Sequence, residues 1–221
     1  LENHIKKICR KAAKRIIEQR ATRVTVPPRE IAEYLGKPLY PAADPFKKRR
    51  IGVVMGLAWT SMGGATLYVE AIQVAAKNPG FKQTGQLGQV MVESSEIAYT
   101  YIRSFLNADP KAREWFEKSF IHLHVPAGAT PKDGPSAGIT MAAALYSLAA
   151  HQAIRPHFAM TGELTLSGLV MPIGGLKEKA IAAKRAGVTH LVFPKENKAD
   201  LDELHAHIRK GLKPHFVGTF Q

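Results

Sequence analysis

Cysteine is nearly missing from this chain: Cys9 is the single one in 221 residues. One cysteine leaves nothing for an internal disulfide or a cysteine-built metal cage, and it fits a reducing compartment. Equally missing is any run of about eighteen or more apolar residues, and the charged first stretch lacks the apolar core of a signal peptide. The expectation is therefore a soluble chain with no membrane partner. No phosphate-cradling G-x-x-x-x-G-K-[ST] loop occurs, so the chain has no nucleotide site of that kind. Internal repeats and low-complexity tracts are also lacking.

Acidic side chains are scarce, with 18 Asp and Glu against 31 Lys and Arg and a net charge of +13. The excess is local: residues 1–50 hold 14 basic and 5 acidic side chains, a net of +9, whereas the remainder holds 17 and 13, a net of +4. A basic segment of this kind can contact DNA through phosphates. It carries little aromatic interleaving for base stacking, and a solvated face or a contact to an acidic neighbour is the preferred reading.

What is present, at 45% hydrophobic content, suffices for a sizeable core. Leu1, Ile5, Ile8, Ala12 and Ile16 recur at helical spacing over residues 1–19, and a short helix is predicted over 28–35, with Pro28 at its start and Gly36 after its end. The proline- and charge-rich stretch 37–50 places a boundary near residues 36–50. Opening on Leu inside a helical pattern, the chain reads as a piece of a longer protein. Beyond the boundary, two β-rich runs around "SMGG" predict a hairpin over 51–76. A helix follows over 87–105, with Leu87, Val90, Met91, Ser94, Ile97, Ala98, Tyr101, Ile102 and Phe105 on one face, then a strand at 120–125 and a helix at 136–151. Two short strands around a turn in 157–175, a helix at 176–186, a strand at 190–194, a helix near 200–209 and a strand at 213–218 complete an α/β alternation.

The chemistry centres on "PKDGPSAGIT", residues 131–140. Ser136 stands where a helix starts, and serine is a favoured N-cap because its oxygen accepts the first-turn amides. Gly134 and Gly138 flank it, however, and leave room for a substrate, while bare amides at a helix start can hold an oxyanion. A serine nucleophile then needs a base. Lys179 is the candidate: at about 100° per residue it falls among Leu176, Ala180, Ala182, Ala183 and Ala186, away from Lys177, Glu178, Lys184 and Arg185. A lysine on an apolar face loses hydration, which lowers its pKa towards a general base. The plain alternative is a stem lying on the core with its ammonium reaching water.

"GLAWTSMGGATLYVE", "TGQLGQVMVES", "HLHVPAGATPKDGPSAG", "AMTGELTLSGLVMPIGGLKEKAIAAKRAGV" and "FPKENKADL" together resemble the proteolytic domain of the ATP-dependent Lon proteases, in the family's order, over roughly residues 51–217. The resemblance implies an α/β (α+β) Lon proteolytic-domain fold, similar to the second domain of ribosomal protein S5, over residues 46–221. It implies a Ser-Lys dyad endopeptidase with Ser136 as nucleophile and Lys179 as base. Thr161 then matches the threonine that hydrogen-bonds the lysine, and Asp133 and Glu70 match acidic positions near the site. The backbone amides of Ser136 and Ala137 are the expected oxyanion donors, and the strands of Trp59 and Met160 are candidates for binding an extended substrate by strand addition. Residues 1–45 resemble the end of the small helical subdomain of an AAA+ ATPase module absent from this chain, which would bind ATP and Mg; no cofactor or metal is expected here. Unfolded or damaged proteins are the implied substrates, and a homo-hexamer the implied assembly. The bacterial cytoplasm or the mitochondrial matrix is the implied compartment.

Two other readings attach to the same residues. Gly134-Pro135-Ser136-Ala137-Gly138 also satisfies G-x-S-x-G, the nucleophile elbow of α/β-hydrolases, with His205, His207 or His215 and Asp200 or Asp202 as nominal triad partners. A basic nucleic-acid-binding module without peptidase activity is the other. His122 and His124 alternate on one strand face, and without a third spaced ligand they read as a polar sheet face in preference to a metal site.

Overall fold

The computed structural model describes residues 1–20, 22–36, 49–60 and 63–221. The chain divides into two compact units, Leu1–Pro45 and Phe46–Gln221. In the first unit α1 (Glu2–Gln19) and α2 (Ile31–Leu35) are helices, the second entered through a 3₁₀ turn at Pro28–Glu30. Proline at the first position supplies the helical φ without wasting an amide, and Gly36, at φ 90°, ends α2. Arg15 of α1 reaches across to α2, bonding Tyr34 Oη at 2.8 Å and Glu33 Oε2 at 3.0 Å with its guanidinium over the Tyr34 ring. Of the apolar α1 positions read from the sequence, Leu1, Ile5 and Ile16 are exposed. Most of the proline- and charge-rich stretch, and with it the boundary placed there, lies outside the described residues.

The second unit is built on a mixed seven-stranded sheet in the order β3-β4-β2-β1-β5-β8-β9. Its strands are β1 (Val53–Thr60), β2 (Gly63–Ala75), β3 (Gly80–Thr84), β4 (Ser119–His124), β5 (Phe158–Met160), β8 (His190–Pro194) and β9 (Lys213–Val217). Between β5 and β8 runs a separate antiparallel pair, β6 (Glu163–Leu164) and β7 (Val170–Met171). The helices are α3 (Gln89–Phe105), α4 (Pro110–Glu117), α5 (Gly138–Ala149), α6 (Leu176–Arg185), α7 (Lys198–Asp202) and α8 (Ala206–Arg209).

The expected hairpin is β1–β2, paired in register from Val53↔Glu70 to Thr60↔Gly63. Strand alternation then assigns the two faces. Val54, Val69, Ala71, Ile121 and Leu123 pack against Met91, Ala98 and Ile102 of α3 and Met141 and Leu145 of α5. Leu57, Ala159, Leu191 and Phe193 turn the other way, onto Leu176, Ala180 and Ala183 of α6. The mixed α/β fold expected from the sequence is what forms, a sheet between two helical layers.

Three details differ from the sequence reading. β3 and α4 were not expected; both are short, and α4 is announced only by Asp109, whose carboxylate accepts the Lys111 amide at 2.9 Å, and by Pro110 behind it. The helix expected near 200–209 is two short helices, α7 and α8, separated at Glu203–His205. The two strands expected in 157–175 are three, because β5 joins the main sheet while β6 and β7 pair with each other.

Helix α6 reaches the hairpin because residue 64 has no side chain. A Cβ on Gly64 would stand 1.9 Å from the Glu178 carbonyl oxygen. Gly64→Ala is expected to destabilise the fold by about 1–3 kcal/mol in urea denaturation, the usual range for overpacking a close contact. Parental stability would contradict this seat for α6.

Candidate active site

Helix α6 carries Lys179 one turn from its start, in the company of Leu176, Ala180, Ala182 and Ala183, all buried. Lys179 is itself 2% exposed, so its ammonium does not reach water. It donates to Thr161 Oγ1 at 3.0 Å. Among the described residues no carboxylate pairs with it. Burial without an anion disfavours the charged form and pushes the Lys179 pKa down from 10.5 to about 8.

Thr161 is fully buried at the end of β5, where its amide donates to Val192 O on β8 at 3.1 Å. Its hydroxyl hydrogen goes to the Ser136 carbonyl oxygen at 3.0 Å, which leaves lone pairs for the lysine. The same Ser136 carbonyl takes the Gly162 amide at 2.8 Å, and Gly162 O takes the Ile139 amide at 3.1 Å. Ser136 and Lys179, 43 positions apart in sequence, are thus joined through one threonine. The Ser136 hydroxyl is half-buried and has no hydrogen-bond partner among the described residues.

The helix-cap reading of Ser136 is corrected here. A 3₁₀ turn, Pro135–Ala137, precedes α5, so the serine lies inside helical backbone; Gly134 caps the turn, Ala137 caps α5, and neither cap makes a side-chain bond. Proline starts the turn one residue early, and Gly134 at φ 117° supplies a backbone that side chains rarely adopt. The hydroxyl is released from capping as a result.

Asp133 does the capping, but for a different helix. Its Oδ1 accepts the Met91 amide of α3 at 2.9 Å and the Gly134 amide at 2.8 Å. Gly88 makes room for it, since a Cβ there would stand 2.3 Å from Asp133 Cγ. Buried Ser94 on α3 adds a bond to the Pro135 carbonyl at 3.3 Å. Asn197, 3% exposed, grips both the amide and the carbonyl of Ile173, each at 2.9 Å, in the connection that leads into α6. Sequence reasoning missed Ser94 and Asn197 in these roles; both lie inside the quoted motifs, and nothing in their spacing singles them out.

The remaining expected residues are more dispersed. Glu70 is half-buried on β2 opposite Val53 and His124, and no hydrogen bond or ion pair among the described residues ties it to Ser136, Thr161 or Lys179. Trp59 on β1 is 62% exposed and lies against the α6 cap, 2.8 Å from a Cβ built on Gly175. Met160 turns into the core and lines a cavity of about 380 Å³ with Phe105, Ile139, Tyr146, Val192 and Phe220. Its strand β5 lies between β1 and β8, so it offers no open edge for strand addition. Among the described residues β1 pairs with β5 at Gly56 alone, and its Leu57–Trp59 portion has strand partners on the β2 side only.

The hydrolase triad does not assemble. His205 stacks on His207, His215 Nε2 meets His190 Nδ1 at 2.9 Å, Asp200 takes the Asn197 amide and Asp202 pairs with Arg209. Nor does a strand run into the serine, because β4 ends at His124. His122 Nε2 and His124 Nδ1 both meet Thr84 Oγ1, at 2.9 and 2.7 Å, as a polar sheet face would. Among the described residues no three His, Cys, Asp or Glu side chains converge as metal ligands.

Compared with known families, residues 25–221 match the one described as the Lon protease (S16) C-terminal proteolytic domain. The chain is 54% identical over its whole length to Lon protease 1 of Syntrophotalea carbinolica, of which it covers 27%. It is 48% identical to the Lon protease of Chlamydia muridarum, over 98% of the chain and 28% of that protein. It is also 48% identical to the mitochondrial Lon protease homolog of Homo sapiens, over the whole chain and 24% of that protein. The chain therefore spans about a quarter of the length of the curated relatives it matches.

Burial of Lys179 also has a signature in stability. Between about pH 8 and 10.5 the unfolded lysine is protonated and the folded one is not, so stability rises with pH across that window. Below it, the folded protein carries the full cost of a buried cation. Lys179→Met is accordingly expected to stabilise the fold at pH 7 by about 2–3 kcal/mol. The gain should fade towards zero as pH rises through the window in urea denaturation. A pH-independent difference would contradict the buried cation.

Proposed function

Since the chain belongs to the Lon protease (S16) C-terminal proteolytic domain family, we propose that it is the peptidase centre of an ATP-dependent serine endopeptidase acting through Ser136 and Lys179. The observation that carries this reading is the buried Lys179 amine at 3.0 Å from Thr161, whose hydroxyl holds the Ser136 carbonyl.

The chemistry follows from what each group has left to give. A neutral Lys179 that donates one hydrogen to Thr161 keeps a lone pair, and among the described residues the Ser136 hydroxyl has no competing partner. Lysine takes the hydroxyl proton as the serine oxygen attacks a peptide carbonyl carbon. The Ser136 and Ala137 amides belong to the first turn after Pro135, where intrahelical acceptors run out, and they receive the developing oxyanion. Collapse breaks the C–N bond, and the Lys179 ammonium returns its proton to the leaving amine. Water then attacks the acyl-enzyme with Lys179 again as base, releasing the acid and restoring Ser136. Thr161 fixes the amine throughout, and Asp133, by tying Gly134 to α3, fixes the backbone ahead of the serine. The Leu57–Trp59 portion of β1 is the place for an extended substrate strand; Glu70 receives no role in these steps.

ATP and Mg belong, on this reading, to an AAA+ module outside this chain, with residues 1–45 as part of its small helical subdomain. Support comes from the lack of a phosphate loop and from the fraction of each relative that the chain covers. Unfolded or damaged proteins delivered by that module are the proposed substrates, and a homo-hexameric ring the proposed assembly. The bacterial and mitochondrial relatives fit a bacterial cytoplasm or a mitochondrial matrix.

Ser136→Ala and Lys179→Ala are each expected to lower peptide hydrolysis by about a thousandfold or more, the scale of losing a nucleophile or its base. kcat/KM should rise with pH to a plateau above about 8, as Lys179 loses its proton. Joint replacement of His205, His207 and His215 by alanine should leave the profile unchanged. Full proteolysis by either single variant, or a profile that follows the histidines, would overturn the lysine-based dyad.

A further inference from the structure

The ten residues that lead from β4 to the 3₁₀ turn, 125–134, contain neither helix nor strand, yet they carry Ser136 at their end. Something other than regular backbone pairing must hold them. Lys132 makes a single-residue bridge to the β3–α3 connection: its amide donates to Gln86 O at 3.0 Å, and its carbonyl accepts the Gly88 amide at 2.7 Å. Its side chain gathers the rest. Lys132 Nζ donates to Gly85 O at 2.8 Å, to Ala127 O at 2.9 Å and to Thr130 O at 2.9 Å.

Three features set this lysine apart from an ordinary surface cation. All three ammonium hydrogens are spent, on carbonyls from two separate segments, a convergent demand that a tetrahedral ammonium meets and a planar guanidinium does not. No carboxylate pairs with it among the described residues, so carbonyl dipoles alone hold the charge, and partial burial lowers its pKa. One acceptor belongs to Ala127, a non-glycine residue at φ 66°, a conformation that persists only where neighbours enforce it. The loop 127–130 and the Gly85 corner therefore meet at one charged atom, four residues before the serine. The next residue, Asp133, ties the same segment to α3.

We propose that Lys132 is a positioning residue for Ser136: its ammonium draws the 127–130 loop and the Gly85 corner onto one point. The path of residues 132–134 is thereby fixed, and with it the Ser136 hydroxyl and first-turn amides that meet the substrate carbonyl. This rests on the serine-peptidase reading above. Lys132 touches no reacting atom in that scheme. Small displacements of a nucleophile and its oxyanion donors weigh on the transition state far more than on ground-state binding. The loss on removing Lys132 therefore falls on kcat and leaves KM alone. Lys179, on a different element and held by Thr161, keeps its own ionisation.

The test uses the intact protein and a fluorogenic peptide, with Ser136→Ala as the control. Lys132→Met is expected to lower kcat by about 10- to 100-fold, with KM within about twofold of the parent and the pH midpoint unmoved. Lys132→Arg, which keeps the charge and loses the three-way convergence, should show a smaller loss of the same kind and serves if the methionine variant does not fold. Lys132→Cys in a Cys9→Ser background should be similarly impaired, and aminoethylation of the thiol, which rebuilds a lysine-like ammonium, should restore most of kcat. Parental kcat in the methionine or arginine variant, a loss that falls on KM, or no recovery on aminoethylation would overturn the proposal. A fully active Ser136→Ala would instead sink the serine reading beneath it.

Discussion

An amine sealed from water with a hydroxyl for company, and no carboxylate among the described residues, is the constraint on which the site depends. An anion beside Lys179 would raise its pKa and hold the proton; burial alone lowers it to about 8. Achieving that takes the whole layered arrangement. The alanines of α6 allow the helix to lie flat on the sheet, Gly64 and Gly175 let it approach the β1–β2 hairpin, and β5 and β8 hold Thr161 at the buried end of the lysine. Each element is ordinary by itself, and their convergence desolvates one nitrogen.

The proposed nucleophile is held on a different principle. Ser136 is placed by its backbone: its carbonyl is fixed by Thr161 and Gly162, the preceding carbonyl by Ser94, and the segment ahead of it by Asp133 and Lys132. The side chain itself has no hydrogen-bond partner among the described residues. A hydroxyl already engaged in a cap would have to give up that bond before reacting, so the 3₁₀ turn that removes it from the cap position keeps it available.

Much of this was legible in the sequence where one periodicity dominated. The β1–β2 hairpin, α3 and α6 followed from alternation and helical spacing, and Lys179 stood out because it broke the charge pattern of its own helix. Thr161 became visible only through the resemblance to a family. Part of what stayed hidden comes from contacts between residues distant in sequence. The resemblance puts Asp133 near the site, but nothing in the spacing shows that α3, 42 positions away, rests on it. Met160 looks available to a substrate until β1 and β8 close around its strand. Ser136 looked like a cap because Pro135 shifts the turn by one residue, a matter of backbone register that composition does not encode. β3 and α4 are too short for their periodicity to register.

The most direct measurement is an NMR titration of the Lys179 side-chain carbon and nitrogen in the folded protein, assigned by comparison with Lys179→Met. A midpoint near 8, more than two units below an ordinary lysine, is the expected result. A midpoint at or above about 10, the range of a hydrated lysine, would contradict the buried amine and remove the proposed base from the site.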